Sequence, residues 1–145
     1  MALNRALDIS VSGIMAEKQH MEIIASNMAN INTTKAAGGG TYKRLVPVYT
    51  QTPLSFEDHL SKAQQKAANK TGGVSVKTVQ DNSTPTQKVY NPGHPDADLN
   101  GYVSLPNVSL ATEMTDLIYS SKLYEANITV FNATKKMGQD ALSIQ

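Results

Sequence analysis

The sequence predicts an α+β fold, mainly α. A long helix at each end of the chain packs with the other as an antiparallel, coiled-coil-like pair, around a small β-rich middle insert. Three observations predict it. Apolar residues recur every seven positions near the N-terminus, at Leu7, Ile14, Met21 and Met28. They do so again near the C-terminus, at Leu110, Leu117, Tyr124 and Phe131. Between these ends, short segments rich in Val, Tyr and Thr alternate with Gly and Pro clusters. A period of seven marks a helical stripe with a seam, and alternation marks strands. The chain therefore divides into an N-terminal helix (1–34), a β-rich insert with connecting loops (35–106) and a C-terminal helix (107–145).

The N-terminal helix carries a companion row beside its seam: Leu3, Val11, Ile24, Ala25 and Ile31. Gly13 lies inside it and weakens a helix by roughly 1 kcal/mol against Ala. Asn30, Asn32 and the Gly38-Gly39-Gly40 run are the expected stop.

The insert reads as strands at "TYKRLVPVYTQ", "GGVSVKTVQ" and "QKVYNP". Residues 55–70 read either as a helix capped by Ser55, with Asp58 at the third position, or as a polar loop. "AAGGG", "TGG", "STPT" and "NPGHP" punctuate the segment.

The C-terminal helix carries Met114, Ile128 and Leu142 as its companion row, with Ser121 and Lys135 as polar members. The opposite faces of the two helices are polar but largely uncharged. One presents Asn4, Ser10, Ser12, Gln19, Ser26, Asn27 and Asn30; the other presents Thr112, Thr115, Ser120, Asn127, Thr129, Asn132 and Thr134. Neutral polar faces cost less to desolvate than charged ones, which suits burial against other subunits.

The 145 residues suffice for one domain with a core. A net charge of +1 gives no electrostatic drive toward nucleic acid. No cysteine is present, so disulfide and thiol chemistry are excluded. "MALNRALDISVSGIMAEKQH" lacks the basic start and unbroken apolar run of a secretory signal, so a role outside the cytoplasm implies export without a cleaved signal.

No catalytic set is legible, and no cofactor or small-molecule substrate is expected. His20, His59 and His94 fall in separate segments, with His20 expected at a solvated edge. Tyr42, Lys43 and Arg44 read as a small surface patch. "DADLNG", Asp96 to Gly101, begins like a calcium-binding loop. Its twelfth position is the neutral Asn107, and prolines bar the flanking helices, so metal is not expected. Pro95, Asp96, Asp98 and Gly101 instead read as a turn assembly, with the two aspartates bonding nearby backbone N–H groups.

Two motifs resemble those of the flagellar basal-body rod and hook family. "ASNMANINTT" is similar to the N-L-A-N-x-N-T signature that closes the family's N-terminal helix, met here by Asn27, Met28, Ala29, Asn30, Ile31, Asn32 and Thr33. "YEANITVFNATKKM" resembles its C-terminal helix, with a Y-x-A-N core at Tyr124, Ala126 and Asn127. The junction "YNPGHPDADLNGYVSLPNV", the short insert and the "KAAGGG" before Tyr42 are similar to the proximal-rod branch.

The resemblance implies a non-enzymatic structural subunit of the proximal rod. Such proteins are exported unfolded by the flagellar type III apparatus and polymerise in the periplasm into the axial drive shaft and export channel. The implied partners are copies of the chain, other rod subunits, and the MS-ring and export apparatus at the rod base. The seams place Leu7, Val11, Ile14, Met21, Ile24, Met28, Leu110, Met114, Leu117, Tyr124, Ile128 and Phe131 at the expected helix-pair and subunit interface. A soluble helical-hairpin adaptor would share the same stripes. So narrow a seam also predicts terminal helices that fold on docking.

Overall fold

The computed structural model describes residues 2–36, 39–52 and 72–143. Helix α1 spans Ala2–Ala29. Strands β1 (Leu45–Thr52) and β2 (Gly73–Gln80) pair in one two-stranded sheet. Strands β3 (Gln87–Tyr90) and β4 (Tyr102–Leu105) pair antiparallel in a second. Helix α2 spans Leu110–Ser143. The segment 55–70, with Ser55, Asp58 and His59, lies outside the described residues, as do Gly38 and the side chains of Leu3 and Asn4. Among the described residues no helix is long and apolar enough to cross a membrane.

The fold is thus α+β and mainly helical. β4 is an addition to the sequence reading, which took "YVSL" as part of a junction. Its partner decides it: Val103 faces Val89 and Tyr102 faces Tyr90 across the ladder, and the two tyrosine rings meet edge-on with centroids 5.4 Å apart. The turn assembly therefore closes a hairpin before the chain reaches α2.

α1 ends at Ala29 because Asn30 caps it. Both the backbone N–H and the side-chain Nδ2 of Asn30 donate to the Ser26 carbonyl, at 3.1 and 2.9 Å. Thr33 Oγ1 then donates to Asn30 Oδ1 at 3.2 Å. The helix ends just before Asn30, the first of the residues expected to stop it.

The chain groups into two compact units. One comprises Met1–His20, Tyr49–Lys77 and Ser120–Gln145; the other comprises Met21–Val48 and Thr78–Tyr119. The buried apolar core is small among the described residues: Ala16 in the first unit, and Ile23, Ile24, Val103 and Val108 in the second. Buried beside them are Glu17, Asn27, Glu113, Ser120 and Thr134.

That list corrects the reading of the helix faces. Asn27, Ser120 and Thr134 were assigned to faces turned toward other subunits, yet all three are buried within the chain. On α2 the inward positions run Glu113, Leu117, Ser120, Tyr124, Asn127, Phe131, Thr134 and Gly138, alternating steps of four and three. The large residues of this stripe are the seam read from sequence. Its companion row is polar and small, in place of the row begun by Met114, which is exposed. Two companion rows flank any seam, and hydrophobicity favours the apolar one. Glu113 and Ser120 turn inward because polar partners await them there.

Candidate functional site

Buried polar groups hold the elements of each unit together. In the second unit those groups centre on Asn27 of α1, which is 1 % exposed. Its Nδ2 donates to the Leu45 carbonyl at 2.9 Å and to Glu113 Oε2 at 3.0 Å. Its Oδ1 accepts the Leu45 N–H and the Tyr42 hydroxyl, both at 2.9 Å. A side-chain amide has two donors and two lone pairs, and all four are used. Asn27 thereby pairs with Leu45 at the start of β1 as a neighbouring strand would.

Glu113, on the first turn of α2, is 0 % exposed. Its second oxygen accepts Arg44 Nε at 2.6 Å, and Arg44 Nη2 reaches Asp116 Oδ2 at 3.1 Å. Burial alone would lower the Arg44 pKa; the hydrogen bonds and charges of Glu113 and Asp116 outweigh it and hold the guanidinium more firmly protonated. The Arg44 N–H donates to Asn107 Oδ1 at 2.8 Å. Tyr42 and Arg44, read from sequence as a surface patch, thus face inward and tie the insert to both helices. The residue that disqualified the calcium loop, Asn107, is part of the same network.

In the first unit the corresponding group is Glu17. Its Oε2 accepts the Ser120 hydroxyl at 2.7 Å, and its Oε1 accepts the Tyr49 hydroxyl at 3.1 Å. His20 Nδ1 lies 2.9 Å from the Tyr49 oxygen and 3.8 Å from Glu17 Oε2. His20 is half-buried against a tyrosine rather than solvated. Gly13 sits so close to α2 that a Cβ there would lie 3.3 Å from Asn127 Nδ2. No buried side-chain nitrogen or oxygen among the described residues lacks a partner.

The residues read as contacts spread between inside and outside. Ile24 is buried. Leu7, Val11, Ile14, Met21, Met28, Leu117, Tyr124, Ile128 and Phe131 are half-buried. Leu110 and Met114 are exposed and, with Ile118, form an outer apolar strip on α2 in the second unit. In the first unit Val130 and Met137 are exposed, with Ala133 between them and Ala126 one turn before. Of the remaining motif residues, Ala29 and Asn32 are exposed. No sequence signal marked Glu113 or Glu17, and Arg44 is marked there only as part of a surface patch. Their partners lie 69, 86 and 103 positions away in the chain.

The junction is a chain of turns. The His94 N–H reaches the Asn91 carbonyl and the Ala97 N–H reaches that of His94, with Pro92 and Pro95 each second in its turn. Asp98 Oδ1 accepts the N–H groups of Asn100 and Tyr102 at 2.8 and 2.9 Å. Asp96 differs from the expectation, binding the Thr34 hydroxyl at 2.7 Å and the Lys35 ammonium rather than backbone N–H groups. Gly101 has φ +79° and stands where a Cβ would strike the Tyr90 ring. Among the described residues no three potential ligands converge on a metal position.

Known proteins decide the family. Residues 7–36 match the family described as "Flagella basal body rod protein", and residues 99–144 match "Flagellar basal body rod FlgEFG protein C-terminal". The flagellar basal-body rod protein FlgC of Bacillus subtilis is 36 % identical over 143 residues, covering 96 % of this chain and 95 % of its own. FlgC of Borreliella burgdorferi is 33 % identical over 156 residues, covering 99 % and 98 %, and FlgC of Salmonella typhimurium is 33 % identical over 144 residues with the same coverage. The chain belongs to the FlgC family of flagellar basal-body rod proteins. A FlgC-family chain is a structural rod subunit of the flagellar basal body and not an enzyme. The two matched segments hold α1 from Leu7 onward with its cap, and β4 with α2. They carry Asn27 and Glu113, so both helix anchors of the buried network lie in the segments matched by the rod-protein families.

Proposed function

We propose that this FlgC-family chain is a proximal-rod subunit that polymerises through its terminal helices into the axial drive shaft and export channel. Residues 1–34 and 107–145 form the axial core as an antiparallel, coiled-coil-like pair, and residues 35–106 form the outward insert. The chain meets copies of itself, other rod subunits, and the MS-ring and export apparatus at the rod base. It reaches the periplasm through that apparatus without a cleaved signal peptide.

One observation carries this reading. The helices bury polar and charged groups beside their apolar seam and leave other large apolar residues outside. Asn27, Glu17, Glu113, Ser120 and Thr134 are buried, while Met15, Met114, Ile118, Val130 and Met137 face water. A helix pair meant to stand alone keeps its large apolar residues inside. Exposed apolar strips of this kind mark surfaces that a partner covers.

The test is deletion of the gene and imaging of purified basal bodies beside a complemented control. Membrane rings whose rod is missing or stops at its base are the expected result. Intact rods and normal motility would sink the proposal and favour the soluble helical-hairpin adaptor.

A further inference from the structure

The stretch that begins like a calcium loop ends in a chemically labile pair. Of the chain's asparagines, only Asn100 is followed by a glycine. In an open chain the backbone nitrogen of such a glycine attacks the asparagine Cγ. A carbon–nitrogen bond forms, the side-chain amide nitrogen leaves as ammonia with the proton the backbone gives up, and a succinimide ring closes. Water then opens the ring at either carbonyl and leaves aspartate or isoaspartate. Glycine hastens the attack because it puts no Cβ in the way.

In the folded junction the attacking nitrogen is occupied. The Gly101 N–H donates to the Asp98 carbonyl at 2.9 Å and closes the turn from Asp98 to Gly101. The Asn91 N–H holds the Gly101 carbonyl at 2.9 Å, so the glycine is fixed on both sides. Asp98 Oδ1 accepts the Asn100 N–H at 2.8 Å and the Tyr102 N–H at 2.9 Å, which fixes the peptides before and after the pair. Gly101 also lies against the Tyr90 ring and Pro92, at φ +79°. All of these residues belong to one compact unit. The Asn100 side chain, by contrast, is exposed to the water that completes the reaction. To reach Cγ, the peptide between Asn100 and Gly101 must rotate and lose its proton, and either change breaks the bond to Asp98.

We propose that Asn100 is a modification site of this chain, which deamidates through a succinimide when the Asp98–Gly101 turn opens and is protected while it is closed. The products act back on the fold. Isoaspartate carries the main chain through the side-chain carbon and so lengthens it ahead of Gly101. The pairing of Tyr102 with Tyr90 depends on that spacing. Aspartate leaves the main chain unchanged and adds a carboxylate to a turn that already holds Asp98.

The test incubates the purified full-length chain in warm, mildly alkaline buffer, with and without urea. Peptides are mapped by mass spectrometry, and electron-transfer fragmentation assigns isoaspartate. Deamidation at Asn100 should run about tenfold slower, or more, without urea, because only the open minority reacts. Equal rates in the two buffers would overturn the proposal. Hydrogen exchange gives a second readout, since the Gly101 N–H must leave Asp98 in both reactions. Asp98→Ala removes the acceptor of the Asn100 and Tyr102 N–H groups, and Gly101 exchange and Asn100 deamidation should then change by the same factor. Faster exchange with an unchanged rate of deamidation would also overturn it. Asn100→Ser has no amide to lose and should abolish the deamidated peptide in urea; a product that persists would place the reaction at another residue and end the assignment.

Discussion

At the scale of single residues, Asn27 is the position where most depends on one side chain. It satisfies both backbone groups of Leu45, the Tyr42 hydroxyl and a buried carboxylate at once. Asn27→Ala should lower stability by about 2–4 kcal/mol, because it leaves buried partners unpaired, Glu113 among them. Asn27→Asp should be worse, since it sets a second carboxylate against Glu113. Urea titration of basal bodies from each variant checks both, and an unchanged midpoint for Asn27→Ala would refute the network's importance. Ser120→Ala should cost about 1.5–3 kcal/mol in the same assay, as its hydroxyl serves the buried Glu17. Asn27 was legible as a family-motif residue but was placed on an outward face. Glu113 and Glu17 were not legible at all, because a charged residue on a helix is ordinarily solvated.

At the scale of elements, the stripe at Leu117, Tyr124 and Phe131 was readable because large residues every seven positions survive any packing detail. The companion row was not, because rows on both sides of a seam fit the same period. Gly13 shows how packing reverses a propensity argument. Gly13→Ala should gain less than the roughly 1 kcal/mol that helix propensity promises, since the new methyl meets Asn127 at 3.3 Å. Gly13→Leu should prevent rod formation, which imaging of basal bodies decides. The turns respond to acid. Asp98 lies below the ordinary aspartate range, chiefly through the Tyr102 N–H, with Asn100 adding to it. Asp81 is depressed further, by the hydroxyls and N–H groups of Ser83 and Thr84. A carboxyl depressed in the folded state contributes stability that is present above its unfolded value of about 3.9 and is lost as pH falls through the folded value. Amide exchange at Asn100 and Tyr102 should therefore speed up below about pH 4. Asp98→Asn should flatten that dependence, and an equally steep profile would refute the assignment.

At the scale of the whole molecule, the large apolar residues that the helices leave exposed mean that a free chain keeps much of its best burial for its neighbours. Circular dichroism of the dilute chain should show helix well short of the 28 and 34 residues of α1 and α2. Hydrogen exchange should place what helix persists near Asn27 and Glu113, where both helices and the insert share one network. Full helicity in the dilute chain would sink folding on assembly.

The sequence by itself determined the class of the fold, the two terminal helices, the turn chemistry around Asp98 and Gly101, and the family resemblance. Each rests on local period or on backbone geometry, which neighbours in sequence set. Only the tertiary structure decided which polar residues turn inward, that Arg44 and Tyr42 serve the interior, and that "YVSL" is a strand. Those outcomes depend on partners tens of residues away. A buried polar group is tolerated only where such a partner meets it, and no local pattern records that meeting.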